Sequence, residues 1–140
     1  MLYRIILLFI ASMGLASCSI PNLQPEECTE ARPAVREFFS FHFGNEMRFS
    51  QEGLALRERF LTPRFTAELK TRTGTADPFT VNSDDVPRAF RVGQCVSPDP
   101  VHTVFDVLVF WRDNQRTDQQ TIRVEAVKTG DTWLIDRVNY

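Results

Sequence analysis

His102-Thr103-Val104-Phe105-Asp106-Val107-Leu108-Val109-Phe110-Trp111-Arg112 is the stretch that decides the fold. Its side chains alternate with period 2: Thr103, Phe105, Val107, Val109 and Trp111 share one face, and Val104, Leu108 and Phe110 share the other. So dense a run of β-branched and aromatic residues specifies a strand. Apolar residues on both faces predict that the strand is central and covered on both sides. Upstream, Phe90, Val92, Gln94 and Val96 alternate with Arg91, Gly93 and Cys95, and Pro98-Asp99-Pro100 stops that strand. Downstream, Arg112 to Asp118 reads as a polar turn and Thr121 to Lys128 as a third strand. Thr129-Gly130-Asp131 is then a tight turn into a fourth, Thr132 to Tyr140. Short links between consecutive strands make an antiparallel meander.

Ahead of the strands the period lengthens to that of a helix. Thr29 before Pro33 reads as a helix start, because proline is tolerated in a first turn. Val35, Phe38, Phe39 and His42 then recur on one face until Gly44-Asn45. A second helix runs from Ser50 or Gln51 to Leu61 with Leu54, Leu56, Phe60 and Leu61 apolar. Thr62 before Pro63 caps a third that carries Phe65 and Leu69. Seven of the eleven phenylalanines beyond Cys18 lie between Phe38 and Phe65, so these helices supply most of the core's bulk. Thr73 to Pro87 is a long polar loop pinned by Phe79. The class is α+β: three N-terminal helices packed on a four-stranded antiparallel sheet, in a single domain over residues 30–140.

The N-terminus has a different composition. Arg4 precedes an apolar run, Ile5 to Ala16, that is short of the roughly 20 residues needed to cross a bilayer. A charged start, an apolar middle and small residues at the end are those of a secretory signal. Leu15-Ala16-Ser17-Cys18 places a cysteine directly after the small residues, and it resembles the lipobox of bacterial lipoproteins. The resemblance implies that residues 1–17 are a removed signal peptide and that Cys18 is lipidated with palmitate-type chains. Each buried methylene adds about 0.8 kcal/mol of membrane affinity, so several chains anchor stably. Residues 18–29 are then the lipidated end and a tether, broken by Pro21, Asn22 and Pro25. Ser19, where an aspartate is absent, implies the periplasmic face of the outer membrane.

The chain has 140 residues and a net charge of −2, with Lys70 and Lys128 its only lysines. That balance excludes a strongly basic nucleic-acid surface. Cys28 and Cys95 remain once Cys18 is acylated, and an even remainder in an exported chain points to a disulfide. Closing a loop of roughly 68 residues is worth on the order of 4 kcal/mol. Two free buried thiols are the alternative. No metal site or cofactor is expected, because there is no CxxC spacing and His42 and His102 sit near neither cysteine in sequence.

Three helices, a loop containing Asp77-Pro78-Phe79, and a meander closing on Gly130-Asp131-x-Trp133-x-Ile135-x-x-Val138 resemble the nuclear transport factor 2-like, or cystatin-like, superfamily. The chain is most similar to small bacterial lipoproteins of a domain-of-unknown-function branch. The resemblance implies a strongly curved sheet wrapped around the first helix, a cone whose open end is often a pocket. That fold hosts enzymes, binders and scaffolds alike. Ketosteroid isomerases of the superfamily use a carboxylate base with tyrosine and acid donors. Here the only tyrosine after Cys18 is the terminal Tyr140, so no such triad transfers. His42 with Asp106 is the remaining candidate for a general base. The candidate ligand-binding residues are Phe38, His42, Phe60, Arg64, Phe79, Asp106 and Trp111, with Arg64 aimed at an anion in the cone mouth and Trp111 as an aromatic wall. The expected function is an envelope-anchored, non-enzymatic binding or interaction module for a small apolar ligand or an envelope protein. A structural lipoprotein with a filled cone and an enzyme are the alternatives.

Overall fold

The computed structural model describes residues 23–112 and 117–140. Cys18, the lipobox and the signal segment lie outside these residues, as do residues 113–116. Helix α1 spans Glu26–Phe43, α2 Gln51–Arg57 and α3 Pro63–Lys70, with a single 3₁₀ turn at Glu58–Phe60. Four strands follow, β1 Ala89–Asp99, β2 His102–Arg112, β3 Thr117–Thr129 and β4 Thr132–Asn139, in one antiparallel sheet of order β1-β2-β3-β4. The helices cover one face, here called inner, and α1 touches all four strands.

Helix α1 begins three residues before the expected start at Thr29. Pro25 is its N-cap and makes no side-chain cap bond, Pro33 lies inside the helix, and the Thr29 hydroxyl donates to the Pro25 carbonyl at 3.4 Å. Cys28 is therefore a buried helical residue. The other helix starts follow capping chemistry: the Ser50 hydroxyl accepts from Gly53 N–H at 2.9 Å and the Thr62 hydroxyl from Phe65 N–H at 3.2 Å. The expected second helix changes to the 3₁₀ turn after Arg57 instead of running on as α-helix to Leu61.

Strand β2 is internal to the sheet, and its Thr103, Phe105, Val107, Val109 and Trp111 are buried against the helices. Its other face is only half covered, because every helix packs on the inner side. Strand β1 runs through Pro98 to Asp99, where the sequence predicts a stop at Pro98. Its alternation also reverses midway. Val92 pairs with Val107 but Cys95 with Phe105, so one extra residue is inserted at Gly93-Gln94 as a β-bulge. The slip turns Cys95 inward and leaves Val96, expected on the inner face with Val92, 63% exposed. Strand β3 starts four residues before Thr121, and β4 has its own register shift between its pairings with Glu125 and Ala126. The β3–β4 hairpin turns on Gly130-Asp131, with positive φ at Gly130 and not at Asp131, the pattern of a turn that prefers glycine first.

Candidate functional site

Phe38, His42 and Phe79 are completely or almost completely buried, and Phe60 is partly buried beside them. Phe38 lies 5.2 Å from Phe79 and 5.9 Å from Phe60 in edge-to-face contact, and it stacks on the His42 imidazole at 5.9 Å. The rings expected to line a cone thus fill the space between α1, the 3₁₀ turn and the loop after α3. Trp111 is buried too, and its indole N–H donates to the Asp85 carbonyl at 3.1 Å. Beside it an open cleft of about 430 Å³ is bordered by Val81, Ser83 and Gln119.

His42 and Asp106 do not meet. Asp106 belongs to the even-numbered residues of β2, which face away from the helices, and its nearest cation is Arg123 across the sheet at 3.9 Å. The carboxylate at His42 comes instead from the loop: His42 Nε2 lies 3.0 Å from Asp77 Oδ2. On the other side of the ring, Arg57 Nε donates to His42 Nδ1 at 2.9 Å. A guanidinium only donates, so Nδ1 carries the lone pair and Nε2 the proton, which is donated to Asp77. Arg57 also donates to the carbonyls of Gly53 at 2.8 Å and Glu46 at 2.9 Å. Asp77 accepts further from Phe79 N–H at 2.9 Å and from the Thr80 hydroxyl at 2.6 Å. All three residues are buried. Burial pushes the Arg57 pKa below its ordinary value, against the raising effect of Asp77 and Glu46.

A general base needs a lone pair that a substrate can reach. Both ring nitrogens of His42 are engaged by protein groups, so the cluster is chemically a clamp: it ties α1, α2 and the loop together through fully paired polar atoms. Sequence reasoning marked His42 but missed both partners. Asp77-Pro78-Phe79 carried a signal in the carboxylate accepting from the N–H two residues on, a turn that aspartate favours. Arg57 carried another, three residues after the buried Leu54 and so on the same helical face.

Arg64 is half exposed and does not point into a cavity. Its guanidinium holds the Asp136 carboxylate at 2.8 Å and Glu68 at 3.0 Å, and it also donates to the Asp136 carbonyl. Asp136 accepts from the Thr62 hydroxyl at 2.6 Å as well. Burial raises the Asp136 pKa, but the Arg64 and Thr62 hydrogen bonds outweigh it and hold the carboxyl below its usual range.

Cys28 and Cys95 form a disulfide that links α1 to β1 just past the bulge. The bulge itself is clamped by Arg32 of α1, which donates to the carbonyls of Gly93 at 2.8 Å and Val92 at 3.3 Å. The same guanidinium stands 5.2 Å from the Phe105 ring centre. Among the described residues no group of His, Cys, Asp and Glu has the arrangement of a metal site, and no helix is long and apolar enough to cross a membrane.

The chain is similar in structure to a protein of unknown function from Bacteroides thetaiotaomicron VPI-5482, with TM-score 0.55 and 19% identity over 80% of this chain and 90% of that one. At that identity the likeness shows a shared fold alone. No known family and no curated protein matches the chain.

Proposed function

We propose that this chain is an envelope lipoprotein, acylated at Cys18, that acts as a non-enzymatic interaction module through its exterior. Its body is a divergent member of the nuclear transport factor 2-like superfamily, with the sheet curved about α1 into a cone closed by its own aromatic rings. The observation that carries the reading is the pairing of Cys28 with Cys95. It uses two of the three cysteines and leaves Cys18, the one that ends the lipobox-like segment, for acylation. A disulfide also fits an oxidising compartment, outside the cytosol. The interior supports an exterior function, because Phe38, His42, Phe60 and Phe79 pack on one another where a ligand would sit.

The test is the intact mass of the full chain recovered from bacterial membranes. The expected product begins at Cys18 and carries two or three acyl chains, and Cys18→Ala moves it to the aqueous fraction. Retention of Met1 without fatty modification overturns the reading. Co-purification of a stoichiometric small molecule inside the domain would replace the interaction module with a carrier.

A further inference from the structure

We infer that the outer face of the sheet lies flat against a phospholipid bilayer. The inference rests on acylation of Cys18. Val96, Val104, Leu108, Phe110, Val127 and Leu134 all point to this face, with Val96 63% exposed and the others half-buried. Four exposed arginines stand among and around them: Arg91 paired with Leu108, Arg123 with Asp106, Arg137 with Glu125, and Arg112 at the end of β2. Three carboxylates face the same way: Asp106 and Glu125, 3.9 Å and 4.0 Å from Arg123 and Arg137, and Asp99, paired with His102 and 2.8 Å from its Nδ1. A face with four arginines against three carboxylates, on a chain of net charge −2, suits a layer of lipid phosphates.

The start of the domain points the same way. Ahead of α1 the chain rounds the edge of β1 at the bulge, where Arg32 donates to the Gln24 side chain at 2.8 Å. Gln24 then borders a shallow outer-face groove of about 350 Å³ together with Arg91, Asp106, Leu108 and Thr121. Leu23, 91% exposed, therefore leaves the domain on the side of this face. The five residues from Ser19 to Leu23 span at most about 17 Å at 3.3 Å per residue. An anchor so close, attached at the rim of an apolar face ringed by arginines, brings that face to the membrane before any other.

The test uses the full acylated chain in phosphatidylethanolamine–phosphatidylglycerol vesicles containing brominated lipid, with a reporter indole at Val96→Trp or, on the helix side, Leu56→Trp. Leu56 is 60% exposed and serves as the control. The Val96→Trp indole should be quenched roughly twofold by the brominated chains, as expected of an indole at headgroup level, and the Leu56→Trp indole should not. Arg91→Glu with Arg123→Glu should lower the quenching of the Val96 reporter. Leu108→Trp repeats the measurement should the first variant misfold. Equal quenching of the two faces in acylated protein overturns the docking and leaves the lipoprotein reading standing. A mass without acyl chains overturns both. Emission from position 96 that shifts with protein concentration in detergent, without lipid quenching, means that a second copy covers the face and also overturns the docking.

Discussion

Arg57 enters the core as a cation because each of its three nitrogens donates to an acceptor: the buried His42 imidazole and the part-buried carbonyls of Gly53 and Glu46. Its charge is balanced across the ring by Asp77. This chain of three residues makes Asp77→Asn a demanding test. Asp77 Oδ1 accepts from Phe79 N–H and Oδ2 from His42 Nε2–H, so an amide in either orientation turns its NH₂ towards a donor. The guanidinium also loses its counter-charge. Removing one partner of a buried pair costs about 3–5 kcal/mol, and Asp77→Asn is expected in that range by urea unfolding with the disulfide intact. A cost below about 1 kcal/mol would show that the cluster is hydrated or loosely held. Arg57→Met combined with Asp77→Asn should cost less than the two single changes together, since residues in one network are not additive. The clamp was half legible in the sequence. A histidine on an apolar helical face announces a buried polar group, whereas its partners lie 15 and 35 residues away, joined by a loop path that no periodicity encodes.

Both edge strands of the sheet are irregular, and on each an arginine from a helix caps freed carbonyls at one irregularity. Arg32 takes Val92 and Gly93 on β1; Arg64 takes Asp136 on β4, where Thr62 N–H also binds the Ile135 carbonyl at 2.9 Å. Open edges invite pairing with other chains, and bulges with covered carbonyls discourage it. At Gly93 a methyl group would stand 2.9 Å from the Asp106 carbonyl oxygen and 3.2 Å from a Leu108 methyl. Gly93→Ala should therefore cost about 1–3 kcal/mol in chemical unfolding, and a neutral result would mean that the bulge relaxes. The Arg64–Asp136 contact predicts a pH dependence. The folded carboxyl is held below its unfolded value, near 4, so its contribution is fully present above that value and is lost as pH falls through the folded one. Because Arg64 is half exposed, solvent screening reduces the effect to about 0.5–1 kcal/mol. Wild type and Arg64→Met should differ by that amount at neutral pH and converge in acid; a difference that persists at low pH would assign it to packing. Strand existence and order were legible from alternation and turn residues. The parity of β1 was not, because a bulge inserts a residue without altering composition, and one inserted residue sends Val96 out and Cys95 in.

At the scale of the whole molecule, the sequence divides into a helical half and a sheet half, and the disulfide crosses that division. Cys28 sits near the start of α1 and Cys95 late in β1, 67 residues apart, so the closed loop contains nearly all of α1, both other helices, the Asp77 loop and the bulge. The remaining sheet lies outside it, stitched by consecutive hairpins whose pairings are local in sequence. Formation of the sheet therefore needs little help from a cross-link, whereas docking α1 across all four strands closes long loops. A cross-link of this span restricts the unfolded chain by about 4 kcal/mol in the chain-entropy model. Two consequences separate that account from one based on contacts in the folded state. Cys28→Ser with Cys95→Ser should lower the urea midpoint by an amount equivalent to about 2–5 kcal/mol, and it should steepen the transition, because an unlinked chain exposes more surface on unfolding. The measurement is a pair of urea curves on the oxidised protein and the double variant. A lower midpoint with an unchanged slope would place the loss in the native packing of Cys28 against β1, and the tie would then be a core contact and not a restraint on the unfolded chain.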